Sequence, residues 1–248
     1  MNTLQTSTSG YALDRFKLLA AALFLTIGTV CSNAQFLEPS FSFGYGSFAM
    51  GDLKRFQDNI IEQVPFPVRI TDNFPMHVTY EASIMVPFAQ GRHKVGLSFG
   101  SMSTGSRANV SDYSGSYTID HLVKGTKIST NYEVLMLKFS VFELAFNGNL
   151  SYLKTTYQLQ EDFVLGDQQR QEEVVDLAAS GFCIEPRFKL SIPIKRLVFS
   201  LQAGYMIDAS SPLHLKDDKD AELQLDDESI GADFSGIRLN TVIAFRIG

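Results

Sequence analysis

Residues 197–207 read LVFSLQAGYMI. Leu197, Phe199, Leu201, Ala203, Tyr205 and Ile207 are apolar, and Ser200, Gln202 and Gly204 stand between them. Residues 237–247 repeat the pattern, with Ile237, Leu239, Thr241, Ile243, Phe245 and Ile247 on one parity and Arg238, Asn240 and Arg246 on the other. Successive side chains of a strand point to opposite faces, so each run has one apolar and one polar face. A water-soluble barrel turns the apolar face inward. A membrane barrel turns it outward to lipid and lines its lumen with the polar face.

The N-terminal stretch reads as an export signal. Arg15 and Lys17 precede an apolar run, Leu18 to Val30, and Ser32-Asn33-Ala34 offers small residues for cleavage after Ala34. The run is too short for a transmembrane helix, which needs about 20 residues. A retained anchor helix and lipidation at Cys31 are the alternatives, and Val30 is a poor neighbour for lipidation. Cleavage takes away Asp14, Arg15, Lys17 and Cys31, so the net charge of −6 becomes −7 and Cys183 alone remains. The expected organisation is a signal peptide over 1–34 and one barrel domain over 35–248. An acidic balance speaks against nucleic acid as a partner. One cysteine leaves no internal disulfide to rely on.

Period-2 segments between turn signals predict eight strands, near 39–49, 76–88, 94–106, 116–137, 142–160, 173–190, 196–209 and 235–248. Connections alternate between short ones (87–93, 138–141, 191–195) and longer ones (50–75, 107–115, 161–172, 210–234). Short turns on one rim and long loops on the other suit an outer-membrane barrel with periplasmic turns. The expected fold class is therefore all-β: an eight-stranded, antiparallel, up-and-down transmembrane β-barrel. One short helix is predicted in the first long loop, over Leu53 to Glu62, with Asp52 as N-cap and Leu53, Phe56 and Ile60 on one face. It would pack on the barrel mouth, or touch a partner or lipid headgroups.

The face opposite the apolar one carries charge of both signs: Glu81, Glu133, Glu143 and Glu185 against Arg187, Lys189, Arg238 and Arg246. The interior of an eight-stranded barrel is just wide enough for side chains. These eight residues are expected there as an ionic network that plugs the lumen, because buried charges must be paired. A balanced, solvated sheet face is the plainer reading. Pro186 lies inside the sixth strand, where a bulge or a lost ladder bond is expected.

Phe43-Gly44-Tyr45-Gly46, Met50-Gly51-Asp52-Leu53-Lys54, Ser103-Thr104-Gly105-Ser106-Arg107 and Ser111-Asp112-Tyr113-Ser114-Gly115 resemble the turns and strand rims of outer-membrane β-barrel proteins of Bacteroidota. The layout is similar to the small eight-stranded barrels of the outer-membrane-protein-A/X type. The resemblance implies residence in the outer membrane after Sec-type export. It also implies contact with outer-membrane lipid, and insertion by the outer-membrane assembly machinery. Such barrels usually end in an aromatic residue, whereas this chain ends Phe245-Arg246-Ile247-Gly248, which leaves Phe245 for that role.

Chemistry is sparse. Outer-membrane lipid A deacylase and palmitoyltransferase barrels combine His with Ser and an acid. Here His77 or His121 with Ser103, Ser106 or Ser111 and Asp120 is the one combination to test, while His93 and His214 read as solvated. The acidic stretch Asp217, Asp218, Asp220, Glu222, Asp226, Asp227 and Glu228 lacks calcium-loop spacing. No hydrolase elbow, zinc pattern or phosphate loop is found. No catalysis and no cofactor or metal are expected. The function read from the sequence is structural or interactive, through an extracellular partner of the loops. A small pore or passive transport barrel, a lipid A-modifying enzyme and a soluble periplasmic ligand-binding barrel are the alternatives.

Overall fold

The computed structural model describes residues 37–113, 115–165 and 169–247. The expected signal peptide, its cleavage site and Cys31 lie outside these. The elements are β1 (Glu38–Gly46), α1 (Gly51–Gln63), β2 (Arg69–Asn73), β3 (His77–Phe88), β4 (His93–Ser111), β5 (Gly115–Lys138) and β6 (Glu143–Leu165). They continue with β7 (Gln169–Ile194), β8 (Leu197–Ser210), β9 (His214–Leu215), β10 (Gln224–Leu225), β11 (Glu228–Ser229) and β12 (Gly236–Phe245).

Eight of the described strands form a closed antiparallel ring in the order β1-β3-β4-β5-β6-β7-β8-β12. Pairing of β1 with β12, from Ser40↔Ala244 to Gly46↔Arg238, closes it. The ring has no free edge, so the backbone of its wall is satisfied internally. Short turns join β3 to β4, β5 to β6 and β7 to β8, and the Leu37↔Ile247 bridge lies at that rim, where β1 begins and β12 ends.

The apolar side of the wall faces out. Phe199, Leu201, Ile243 and Phe245 are 41–63% exposed, and Phe41, Tyr80, Leu97, Ile128, Leu150, Phe182 and Leu239 are exposed around the rest of the ring. On β5 the outward belt runs from Thr126 to Met136, bounded by exposed Lys124 and Lys138. That matches the roughly 9–11 residues with which a strand crosses hydrocarbon.

Beyond the belt the same strands reverse their amphipathic phase. On β6, Asn147, Asn149 and Ser151 point inward while Leu150 and Tyr152 point outward. A few residues on, Leu153 and Tyr157 are buried and Lys154, Thr156 and Gln158 face out. β5 changes from inward Ser129, Asn131 and Glu133 to inward Ile119 and Val123, and β7 from Glu185 and Arg187 to Leu177 and Ala179. Leu122 is the outward apolar exception on β5. The upper halves of β4–β7, with β2 paired to β4 and β9 to β7, thus build a lobe with an ordinary apolar core. Phe48, Met50, Leu53, Phe74, Leu213, Ile230 and Phe234 fill that core from the connecting segments.

The lobe is where the structure departs most from the sequence reading. Strands expected to end at 106 and 160 run to Ser111 and Leu165, and the one expected to begin at 173 begins at Gln169. Polar stretches read as loops are ladders instead, because each finds a partner strand: Arg107↔Asp120, Glu161↔Glu173 and Asp162↔Glu172 pair in register. α1 begins at Gly51, and its N-cap is Met50 in the left-handed region (φ 46) without a side-chain cap. Asp52 lies in the first turn instead, accepting from Gly231 N–H at 3.2 Å and from Arg55 at 2.8 Å. Leu53 and Gln57 are its buried residues, with Phe56 packed against the lobe core. At Pro186 the β7–β8 ladder skips from Ile184↔Ile207 to Arg187↔Gly204 with its register kept, so the proline loses bonds without a bulge.

Candidate functional site

The lumen at the belt level is filled by charged side chains from six strands, β1 and β3–β7, and from Arg246 just past β12. Arg187 on β7 donates both terminal nitrogens to Glu81 on β3, at 2.9 Å each, and reaches Glu185 at 2.7 Å. Lys127 on β5 bridges the same two carboxylates at 2.9 and 2.8 Å. In the orientation that satisfies its neighbours, the Asn149 amide oxygen accepts from Arg187 at 3.0 and 3.2 Å. Planar bidentate pairing of this kind holds a buried guanidinium in one geometry.

A second network lies toward the short-turn rim. Lys94 on β4 bridges Glu38 (2.7 Å) and Glu133 (3.0 Å), and Lys189 meets Glu133 at 2.9 Å. Arg246 joins Glu38 (3.1 Å) to Glu143 (3.0 Å), and exposed Lys138, the cross-strand partner of Glu143, reaches it at 3.2 Å. Beside the Glu81–Arg187 pair two spaces remain, of about 10 and 20 Å³. Each has room for about one water.

Seven of the eight residues expected in the network therefore meet in two clusters. Arg238 pairs with no carboxylate among the described residues. Its guanidinium is buried at the boundary with the lobe, donating to the carbonyls of Ser47 (2.5 Å), Phe234 (2.7 Å) and Ile237 (3.1 Å). It also lies 4.9 Å from the centre of the Phe48 ring. It ties the returning chain after β1 to the segment before β12. Glu38, Lys94 and Lys127 were missed by the sequence reading. Their parity was the available signal, since Lys127 shares a face with Ser129, Asn131 and Glu133, and Glu38 with Ser40 and Ser42.

The catalytic combination is not assembled. His121 is fully buried on the inner face of the lobe, beyond the belt, with Nδ1 2.7 Å from the Tyr157 hydroxyl. Phe56 and Phe74 lie edge-on to its ring. Burial lowers its pKa to about 4, against a smaller opposing pull from Asp120, and burial pushes the Tyr157 phenol up. Asp120 is on the opposite face, bound by Arg107 at 2.6 and 2.7 Å. Ser106 donates to Gln57 Oε1 at 2.6 Å. His77 is exposed, with Nδ1 3.4 Å from Ser103 Oγ, and no carboxylate pairs with it among the described residues. His93 bonds the Tyr132 hydroxyl (2.8 Å), and His214 the Leu215 carbonyl (2.9 Å). The acidic stretch turns on itself, through Asp218 to the Asp220 N–H and Glu222 to Ser229. No group of three or more His, Cys, Asp or Glu is arranged to hold a metal ion among the described residues.

No protein-family model matches the chain, and no curated protein matches it. Among solved structures, it is similar to the N-terminal β-barrel domain of Pseudomonas aeruginosa OprF. The two share 8% sequence identity over 85% of this chain and 97% of that one, with a TM-score of 0.35.

Proposed function

We propose that this chain is an integral outer-membrane β-barrel whose lumen is closed by ion pairs and whose lobe stands outside the cell. One observation carries the reading: the apolar side of a closed eight-stranded wall faces outward as a belt, around an interior of paired charges. In water, so continuous a band of exposed Phe, Tyr, Leu and Ile would drive aggregation. In hydrocarbon it is the favourable face, and the ring leaves no unpaired strand edge to lipid. The resemblance to Bacteroidota barrels, Sec-type export with cleavage after Ala34, and insertion by the assembly machinery through Phe245 belong to the same reading.

The role proposed is structural or interactive. The Glu81–Arg187–Glu185–Lys127 cluster and the water-sized spaces beside it support a plug rather than a conduit. The lobe, rooted in its own core, is the surface offered to an extracellular partner. Outer-membrane fractions washed with alkaline carbonate test the location. The protein should stay with the membrane, and release without detergent would overturn the reading. Purified protein in planar bilayers tests the plug, with no steady single-channel steps expected. An altered acyl pattern in lipid A from a deletion strain would point instead to an enzyme.

A further inference from the structure

The registers of β4–β7 stack outward-facing residues into rows. Phe99↔Ile128↔Tyr152↔Phe182 is the last apolar row of the belt. The next row is Ser101↔Thr126↔Lys154↔Ser180, and the one after it Ser103↔Lys124↔Thr156↔Ala178. Two adjacent rows therefore carry two lysines and five hydroxyl residues, with no carboxylate. Lys124 and Lys154 stand diagonally across β5 and β6, about 7–8 Å apart at the backbone. Both are exposed and neither has an acidic partner among the described residues, whereas Arg55, Arg107 and Arg170 nearby in the lobe are each paired. The nearest outward carboxylates are already engaged, Asp120 by Arg107 and Asp176 by Gln158. Two like charges set side by side repel, and an anion between them relieves that cost.

Below the patch the wall is notched. Gly148 and Pro186 are cross-strand partners on the outward face, and a Cβ on Gly148 would meet nothing within 4 Å. Tyr132 borders the notch, its hydroxyl 2.8 Å from His93 Nδ1. A trough of about 490 Å³ results, lined by Val95, Leu150 and Ile184 among others.

We propose that this patch binds the phosphate-bearing headgroup of an outer-leaflet lipid, whose acyl chain lies against the apolar rows and trough beneath. The assignment rests on the outer-membrane reading. Charge complementarity selects the occupant: two unpaired cations and a fringe of hydroxyl donors, at the edge of an apolar belt, fit a phosphate attached to hydrocarbon.

The test uses the full mature barrel in vesicles of phosphatidylcholine with a tenth phosphatidic acid. Insertion is checked first by heat-modifiable gel mobility and protection from protease, and lipid retained on the extracted protein is then counted by native mass spectrometry. The wild type should enrich phosphatidic acid. Lys124→Gln with Lys154→Gln should lower the affinity for phosphatidic acid relative to phosphatidylcholine about 25-fold, at roughly fivefold for each lysine, while Lys124→Arg with Lys154→Arg keeps it. An inserted wild-type barrel without enrichment, or an unchanged double glutamine variant, overturns the lipid site and leaves the membrane reading intact. Failure to insert overturns both. Inorganic phosphate bound as tightly as the lipid would make this a solute site and overturn the lipid assignment.

Discussion

The belt and the lobe are built from the same strands and obey opposite rules. On β6, Leu150 faces out and Asn149 in, whereas Lys154 faces out and Leu153 in. The ladder does not change between them, since β5 and β6 keep one register from Gly115↔Leu165 to Leu135↔Ala145. In the proposed function, what changes is the medium each side of the wall must satisfy. Where the outer medium is water, hydrophobic burial holds the inside together. Where it is hydrocarbon, burying apolar groups against protein gains little, and paired charges and hydrogen bonds fix the interior. The phase reversal near Gly125, Leu153 and Cys183 thus locates the upper edge of the membrane in the proposed function.

This contrast can be broken in four places. The largest effect is expected from Arg187→Met, which leaves Glu81 and Glu185 buried without their best partner and should cost about 3–5 kcal/mol. Urea titration of the folded barrel measures it, and a loss below about 1 kcal/mol would mean that the pairs are solvated. The outer face comes next. Leu150→Arg should cost about 2–4 kcal/mol in bilayers, whereas Gln158→Arg, eight residues further along the same face, should change stability by no more than about 0.5 kcal/mol. Equal effects at the two sites would erase the boundary.

The third concerns pH. His121 is neutral when folded, with its pKa lowered to about 4 from the ordinary 6.5. The unfolded chain binds the extra proton first, so the lobe loses stability as pH falls below 6.5, levelling off below about 4. Between pH 7 and 5 the loss should be about 2 kcal/mol, read as weaker amide-exchange protection of β5 and β6 beyond the belt. His121→Gln should lack this slope. The smallest effect is expected from Arg107→Ala, which removes an exposed pair with Asp120 and should cost less than about 1 kcal/mol.

Strand count and ring order were legible because alternation over 197–207 and 237–247 is a local signal, whereas the outward turn of the apolar face was read from the export signal, the alternating loop lengths and the balanced charges on the other parity. The lobe was not legible. Glu161, Asp162 and Glu172 look like loop residues, and their pairing depends on partners that only the closed wall supplies. Parity pointed to all eight expected lumen charges and seven of them meet, yet it could not foresee that Arg238, on the same parity, lies beyond the reversal. There it meets carbonyls and the Phe48 ring in place of carboxylates. Lys124 and Lys154 gained meaning only from cross-strand register, which sets them side by side although they are far apart in sequence.

The central claim is that the outward face of β6 passes from lipid to water between Tyr152 and Lys154. Single spin labels at positions 150, 152, 154, 156 and 158 of the mature barrel, with Cys183 replaced, test it directly in vesicles. Relaxation by oxygen, which concentrates in hydrocarbon, should dominate at 150 and 152, and relaxation by a water-soluble nickel complex at 156 and 158, with the crossover at 154. Nickel access at 150 and 152, or oxygen dominance through 158, would contradict the account.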